Sequence, residues 1–152
     1  MKNAIITLAA FLFVHTGLNA QDTETELIRS AFKHEKKEQV ASFMRLKDAE
    51  AAKFWPIYNE YETSRSAIGD RRIKLLQQYA TAYEKRDTAA AEKLWKESAS
   101  IQKAEVSLRE KYTDIVRKRI SSAVALNFYM VEDYISTAIK VQLFNSIPPP
   151  EM

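Results

Sequence analysis

The chain has 152 residues, with 23 Lys and Arg against 20 Asp and Glu, a net charge of +3 and no cysteine. Without cysteine it can form no disulfide, no thiolate metal site and no thiol nucleophile. The nearly balanced charge argues against nucleic-acid binding, which calls for concentrated positive charge.

The first twenty residues have the layout of a secretory signal peptide. Lys2 supplies a positive charge, residues 4–14 are uncharged and mostly apolar, and a more polar stretch ends at Ala20. The apolar run of 11 residues is too short for an uncleaved membrane anchor, since a spanning helix needs about 20. We therefore predict removal of residues 1–20 and export of residues 21–152 as one domain without a stable membrane span.

Glycine and proline are rare in the predicted mature chain. Gly69 is its single glycine, and its prolines are Pro56 and a cluster at 148–150. No proline interrupts residues 57–147, which are rich in helix-forming residue types. This composition predicts an all-α fold of four helices, followed by an extended proline-rich tail at 148–152.

Apolar periodicity places the first two helices. The first is predicted over residues 23–44, and the second from Asp48 to about Lys85, with Pro56 tolerated in its first turns. One face of the first helix holds Ile28, Phe32, Gln39 and Phe43. The second carries a stripe in alternating steps of four and three, which is heptad spacing. The stripe consists of Phe54, Tyr58, Tyr61, Arg65, Ile68, Arg72, Leu75, Tyr79 and Ala82.

The third helix follows a short link near residues 85–88, so it is predicted to form a long antiparallel helical hairpin with the second. Asp87 or Thr88 offers its start, and it runs to about Arg119. Its stripe consists of Leu94, Ser98, Ile101, Glu105, Leu108, Tyr112 and Ile115.

The fourth helix is predicted to begin at Ser121 or Ser122 and to run to about Asn145. It is apolar on nearly every side, so we expect it either to lie centrally or to complete a homodimer interface. One stripe holds Val124, Phe128, Val131, Ile135 and Ala138, and the remaining apolar residues are Leu126, Tyr129, Met130, Tyr134 and Val141.

Two charged residues interrupt the apolar stripes of the hairpin. Counting outward from the link places Arg65 at about the level of Glu105. Because each would be costly to bury alone, we predict that they form a charge pair across the seam. The alternative is that each reaches solvent over its aliphatic stem.

Residue types that most catalytic and metal sites require are scarce. His34 is the one histidine of the predicted mature chain, and a metal site built on histidine needs partners. A nucleophile with an adjacent base also lacks candidates. Glu132 and Asp133 are interpreted as a polar notch in the fourth helix, since adjacent helix residues point apart. We therefore expect a binding protein without cofactor or metal, and not an enzyme.

Several aromatic residues lie off the main stripes. Trp55, Tyr83, Trp95 and Tyr129 are candidates for a surface that contacts a partner protein. The alternative is that they make a second packing contact within the domain.

The segment from Leu46 to Tyr61, with Phe54-Trp55-Pro56 at its centre, resembles the Spy/CpxP-like periplasmic helical proteins, whose hallmark is a Leu-Thr-x-x-Gln motif at a helix start. It is more similar to small exported proteins with a Phe-Trp-Pro-x-Tyr-x-x-Tyr segment, some of them labelled as sensors for extracytoplasmic sigma factors. Lys47 replaces the motif threonine and Glu50 the glutamine, so Asp48 is expected to cap the helix. Positions in the resemblance are Leu46, Glu50, Phe54, Trp55, Pro56, Tyr58, Tyr61, Phe128, Tyr129 and Glu132.

This resemblance covers residues 46–148. It implies a periplasmic four-helix protein, often an antiparallel dimer, that holds unfolded clients without ATP or damps an envelope stress sensor. We therefore expect a holdase-like chaperone or sensor accessory. The alternatives are a structural or regulatory subunit of one membrane-protein partner, and a metal-responsive binding protein in which His34 would act alone.

Overall fold

The computed structural model describes residues 36–145, a range that contains helices joined by short links and no strand. The predicted all-α fold with an antiparallel helical hairpin is confirmed. The predicted signal peptide, the start of the first helix, His34 and the tail at 148–152 lie outside the described residues. The helices are α1 (36–44), α2 (Asp48–Glu84), a 3-10 turn (Thr88–Ala90), α3 (Ala91–Arg119) and α4 (Ser122–Asn145).

Helix α2 has the bounds that the sequence predicts. The prediction that Asp48 caps α2 is wrong, because Lys47 occupies the cap position. The Glu50 carboxylate accepts a hydrogen bond from the backbone N–H of Lys47 at 3.2 Å. Glu50 thus satisfies this backbone donor from the third helical position. At the other end, Arg86 has a φ of 51°, in the left-handed region that commonly ends a helix.

Side-chain caps start the last two helices. The Asp87 carboxylate accepts from the backbone N–H groups of Ala89 and Ala90, at 3.0 and 3.2 Å, and so begins the turn that leads into α3. Ser121, and not Ser122, caps α4 by accepting from the N–H of Val124 at 3.2 Å. Both caps use the short oxygen-bearing side chains that such positions favour.

The main core lies where all four helices meet. Aromatic and aliphatic side chains from each helix pack there, and the predicted stripes of α2 and α4 supply most of them. The largest fully buried apolar members are Phe54, Tyr58 and Phe128. Outside this cluster, the apolar residues buried among those described are Leu75 and Ile101 of the hairpin. Helix α4 therefore rests on the end of the hairpin that is remote from its link.

Of the face predicted for the first helix, Ile28 and Phe32 lie outside the described residues, Gln39 is half-buried, and Phe43 is not on the buried side of α1. Phe43 is 54% exposed, whereas Val40 and Met44, one residue further along, are buried. Lys36 begins the buried row, and its ammonium contacts buried carboxylates on α2 and α4. A lysine reads as a surface residue in a periodicity pattern, so the row Lys36, Val40, Met44 is not apparent from sequence.

The predicted pair between Arg65 and Glu105 is also wrong. Arg65 donates to Glu62 on its own helix at 3.0 Å. The partner of Glu105 on α2 is Arg72, whose guanidinium lies 2.7 Å from its carboxylate, and Lys140 of α4 lies 3.3 Å from the other oxygen. Arg72 is seven residues after Arg65 and belongs to the same stripe. The prediction therefore chose the correct face of α2 but the wrong position along the helix.

A double-mutant cycle separates these two pairings. Arg72→Met and Glu105→Gln should show a coupling energy of about 0.5–1 kcal/mol, the range of partly exposed ion pairs. Arg65→Met combined with Glu105→Gln should be additive, since Arg65 is bonded elsewhere. Urea unfolding of the wild type, the three single variants and the two double variants measures both coupling energies, and coupling in the second cycle would contradict the observed pairing.

Candidate functional site

Helix α4 carries an exposed apolar face on the side opposite its core contacts. Leu126 is 60% exposed, Met130 52%, Tyr134 75% and Val141 56%. Their spacing of four, four and seven residues places them on one side of a helix. We call these four residues the α4 face. The predicted inward stripe of α4 is buried at Val124, Phe128, Val131 and Ile135, but Ala138 lies on the exposed side.

Each charged residue of α4 has a partner of opposite charge. Between Ser122 and Val141 the sequence contains three charged residues, of which Glu132 is fully buried. Asp133 pairs with Arg109 of α3 at 2.9 Å, and Lys140 lies 3.3 Å from Glu105 of α3. In both pairs the charged end of the α4 side chain lies against α3. The α4 face is therefore uncharged and apolar, and contiguous exposed apolar surfaces are typical of interaction sites.

On the other side of α4, Glu132 anchors a buried polar cluster. Its carboxylate accepts hydrogen bonds from the Tyr58 hydroxyl at 3.0 Å, the Tyr61 hydroxyl at 2.9 Å and the Lys36 ammonium at 2.9 Å. Lys36 also donates to Glu62 at 2.6 Å. The cluster consists of Lys36, Tyr58, Tyr61, Glu62, Arg65 and Glu132.

The charges of the buried polar cluster balance, with two carboxylates against one ammonium and one guanidinium. Burial alone would raise the pKa of Glu62, but Lys36 and Arg65 together lower it below its usual range. Burial, and next the charge of Glu132, raises the pKa of both tyrosines, so both stay protonated and donate. Because each of these side chains has a hydrogen-bond partner, the buried polar cluster holds α1, α2 and α4 together.

Lowering the pH should weaken the buried polar cluster. A carboxyl whose pKa is lower in the folded state stabilises the protein above its unfolded value of about 4.3, and that contribution is lost as the pH falls through the folded value. We expect the difference in unfolding free energy between the wild type and Glu62→Gln to be largest near neutral pH and to shrink below about pH 4. Urea unfolding across that range measures it, and a difference independent of pH would contradict the lowered pKa.

The four aromatic residues predicted to contact a partner do not form one surface. Trp55 is half-buried and packs edge-on against Phe54, with ring centroids 5.2 Å apart. Tyr83 stacks on Tyr79, and Tyr129 lies under the Arg109 guanidinium at 4.7 Å. Trp95 alone among the four is largely exposed, at 60%. Trp55, Tyr83 and Tyr129 therefore each have an aromatic or cation–π contact within the chain, and their contact with a partner stays a prediction.

Several residues of the family resemblance meet in space. Phe54, Tyr58 and Tyr61 pack around Phe128, and both tyrosines donate to Glu132. The two residues interpreted as a polar notch do point apart: Glu132 is fully buried, and the Asp133 side chain is 52% exposed. The position of Glu132, four residues after Phe128 and three before Ile135, places it on the buried stripe of α4, and that spacing was available from the sequence.

Within residues 36–145, no three acidic or histidine side chains are grouped so that they could hold a metal ion. None of the helices in that range combines the length and the hydropathy that crossing a membrane requires. Comparison with protein-family models, with curated proteins and with solved structures found no match to this chain.

Proposed function

We propose that this chain is an exported, periplasmic protein-binding protein without enzymatic activity, acting in envelope stress as a holdase-like chaperone or sensor accessory. The exposed, uncharged α4 face carries the proposal. Binding apolar segments of other proteins there would remove its large side chains from water, at roughly 25 cal/mol per Å² buried. The resemblance of the Phe54–Tyr61 segment to Spy/CpxP-like proteins supports the same role.

The packing of the inner side of α4 explains why the apolar side chains of its outer side stay exposed to solvent. Glu132 and Phe128 anchor the inner side of α4 by hydrogen bonds and aromatic contacts. Met130 and Tyr134, on the outer side, gain nothing by turning inward, because the inner side is already filled. The scarcity of nucleophile and base residue types in the sequence supports binding over catalysis.

Suppression of client aggregation tests the proposal. The purified chain lacking residues 1–20 should keep a denatured client enzyme in solution, and Met130→Lys should lose most of that effect, because it places a charge in the middle of the α4 face. Ile73→Lys is the matched control: Ile73 is an apolar α2 residue of similar exposure, 45%, outside the α4 face. Equal suppression by the wild type and Met130→Lys would exclude the α4 face as the client site.

A subunit dedicated to one membrane protein would use the same face differently. Capture from envelope extracts with the wild type, compared with Met130→Lys, should then recover one stoichiometric partner, whereas a holdase recovers many substoichiometric ones. No difference between the two captures would count against both versions.

A further inference from the structure

We propose that the end of the bundle remote from the hairpin link binds the surface of an anionic lipid bilayer. Two short links close this end, 45–47 between α1 and α2 and 120–121 between α3 and α4. Leu46 of the first link and Ile120 of the second pack against the main core, so both links cover the same end of it. We call the cations in and beside these links the basic end, which consists of Arg45, Lys47, Arg117, Lys118 and Arg119.

Positive charge at the basic end is exposed and only partly matched. All of its side chains are exposed to solvent. Asp114 pairs with Arg117 and Lys118, whereas the other cations of the basic end take part in no ion pair within residues 36–145. The carboxylates at this end of the bundle are Asp48, Glu50 and Asp114. The five cations therefore exceed the three carboxylates and leave positive charge that faces solvent.

Stabilisation of the helices explains only part of the basic end. Cations in the last turn of a helix interact favourably with the negative end of its dipole, which accounts for Arg117, Lys118 and Arg119 of α3. Lys47 has the opposite position, because it precedes the first turn of α2, where positive charge is unfavourable. A cation is thus present where the fold gains nothing from it, as expected for a surface that binds an anionic partner.

Two observations favour a bilayer over a small anion or a soluble polyanion. The cations come from two segments with the apolar side chains of the links between them, so a small anion would reach one segment, whereas a bilayer presents phosphates across the whole end. Phe43, in the last turn of α1 and two residues before Arg45, is 54% exposed. An apolar side chain beside cations is removed from water when it inserts between lipid headgroups, and a soluble polyanion gives it no such environment.

Binding through the basic end would leave the α4 face accessible. The α4 face follows one side of α4 from Leu126 to Val141, whereas the basic end lies across the links that precede α2 and α4. A chain bound to a bilayer could therefore still bind a client. The bilayer surface is a second partner beyond the proposed function, and the two proposals use different residues.

Cosedimentation of the chain lacking residues 1–20 with lipid vesicles tests the proposal. The chain should bind vesicles of phosphatidylglycerol and phosphatidylethanolamine, less strongly as salt is raised, and should not bind vesicles of phosphatidylcholine. The double variant Arg45→Gln, Arg119→Gln removes one unpaired cation from each segment. It should weaken binding about 30-fold, because each cation near an anionic surface contributes about fivefold.

The double variant Lys93→Gln, Lys103→Gln is the matched control. It removes the same charge from exposed positions of α3 outside the basic end, so it should weaken binding less than about twofold. All four substituted side chains are exposed, so both variants should keep the circular dichroism spectrum of the wild type. Equal losses from the two double variants, or a wild type that does not bind phosphatidylglycerol vesicles, would overturn the proposal.

Phe43→Ala distinguishes a bilayer from a soluble polyanion. It should weaken vesicle binding about fivefold, because the ring no longer leaves water, and polyphosphate at the same phosphate concentration should compete poorly with the vesicles. Vesicle binding unchanged by Phe43→Ala together with full competition by polyphosphate would assign the basic end to a soluble polyanion and would overturn the bilayer.

Client aggregation separates this inference from the proposed function. The variant Arg45→Gln, Arg119→Gln should suppress aggregation as the wild type does, and Met130→Lys should bind vesicles as the wild type does. A wild type that suppresses aggregation but does not bind vesicles overturns the bilayer alone. A wild type that binds vesicles without suppressing aggregation supports the bilayer and counts against the proposed function.

Discussion

Replacing Glu132 with alanine should lower the free energy of unfolding by about 3–5 kcal/mol, the cost of removing one partner from a buried ion pair. The substitution leaves the Lys36 ammonium with Glu62 alone and removes the acceptor for the Tyr58 and Tyr61 hydroxyls. All of these groups are shielded from water, so none can replace the lost hydrogen bonds cheaply. Urea unfolding followed by tryptophan fluorescence measures the change.

Glu97→Ala is the control, since Glu97 is a carboxylate whose side chain is 37% exposed and whose partner Arg71 is 41% exposed. It should cost less than about 1 kcal/mol. Adding Lys36→Met to Glu132→Ala should recover part of the loss, because the unmatched ammonium is then gone. Equal losses from Glu132→Ala and Glu97→Ala would mean that the buried polar cluster does not hold α4.

Replacing Phe128 with alanine should destabilise the protein by about 3–5 kcal/mol, as expected for a buried aromatic truncated in a close-packed core. Its ring lies 5.1 Å from that of Tyr61 and 6.0 Å from that of Phe54, and it is 1% exposed. The cavity would open at the junction of α2 and α4. The loss should appear in thermal and urea unfolding alike.

Tyr134→Ala, on the same helix, is the control for size. Tyr134 is 75% exposed, so the substitution should change stability by less than about 0.5 kcal/mol. The same variant should weaken client binding, because it removes the largest side chain of the α4 face. A large loss of stability from Tyr134→Ala would mean that this ring is structural, and would remove the basis for a free binding face.

The two sides of α4 are expected to respond differently to substitution. Its inner side is held by Glu132 and Phe128, and its outer side presents Met130 and Tyr134 to solvent. Stability and the proposed binding therefore depend on different residues of one helix. That separation makes the binding variants informative, because they are expected to leave the fold intact.

Local signals in the sequence were sufficient for the secondary structure of the described residues. Asp87 and Ser121 mark the starts of the last two helical segments, and the heptad spacing of Phe54, Tyr58 and Tyr61 marks the buried side of α2. Caps and apolar periodicity act over a few residues, so a single chain reveals them without any tertiary information.

What the tertiary structure alone decided is how polar residues are matched between helices. Arg72 and not Arg65 reaches Glu105, and Lys36 lies between Glu62 and Glu132. These pairings depend on the level and rotation of packed helices, and a shift of one residue or one heptad leaves the periodicity unchanged. The apolarity of α4 on all sides was evident from the sequence, but which side the other helices cover, and hence where the α4 face lies, follows from packing.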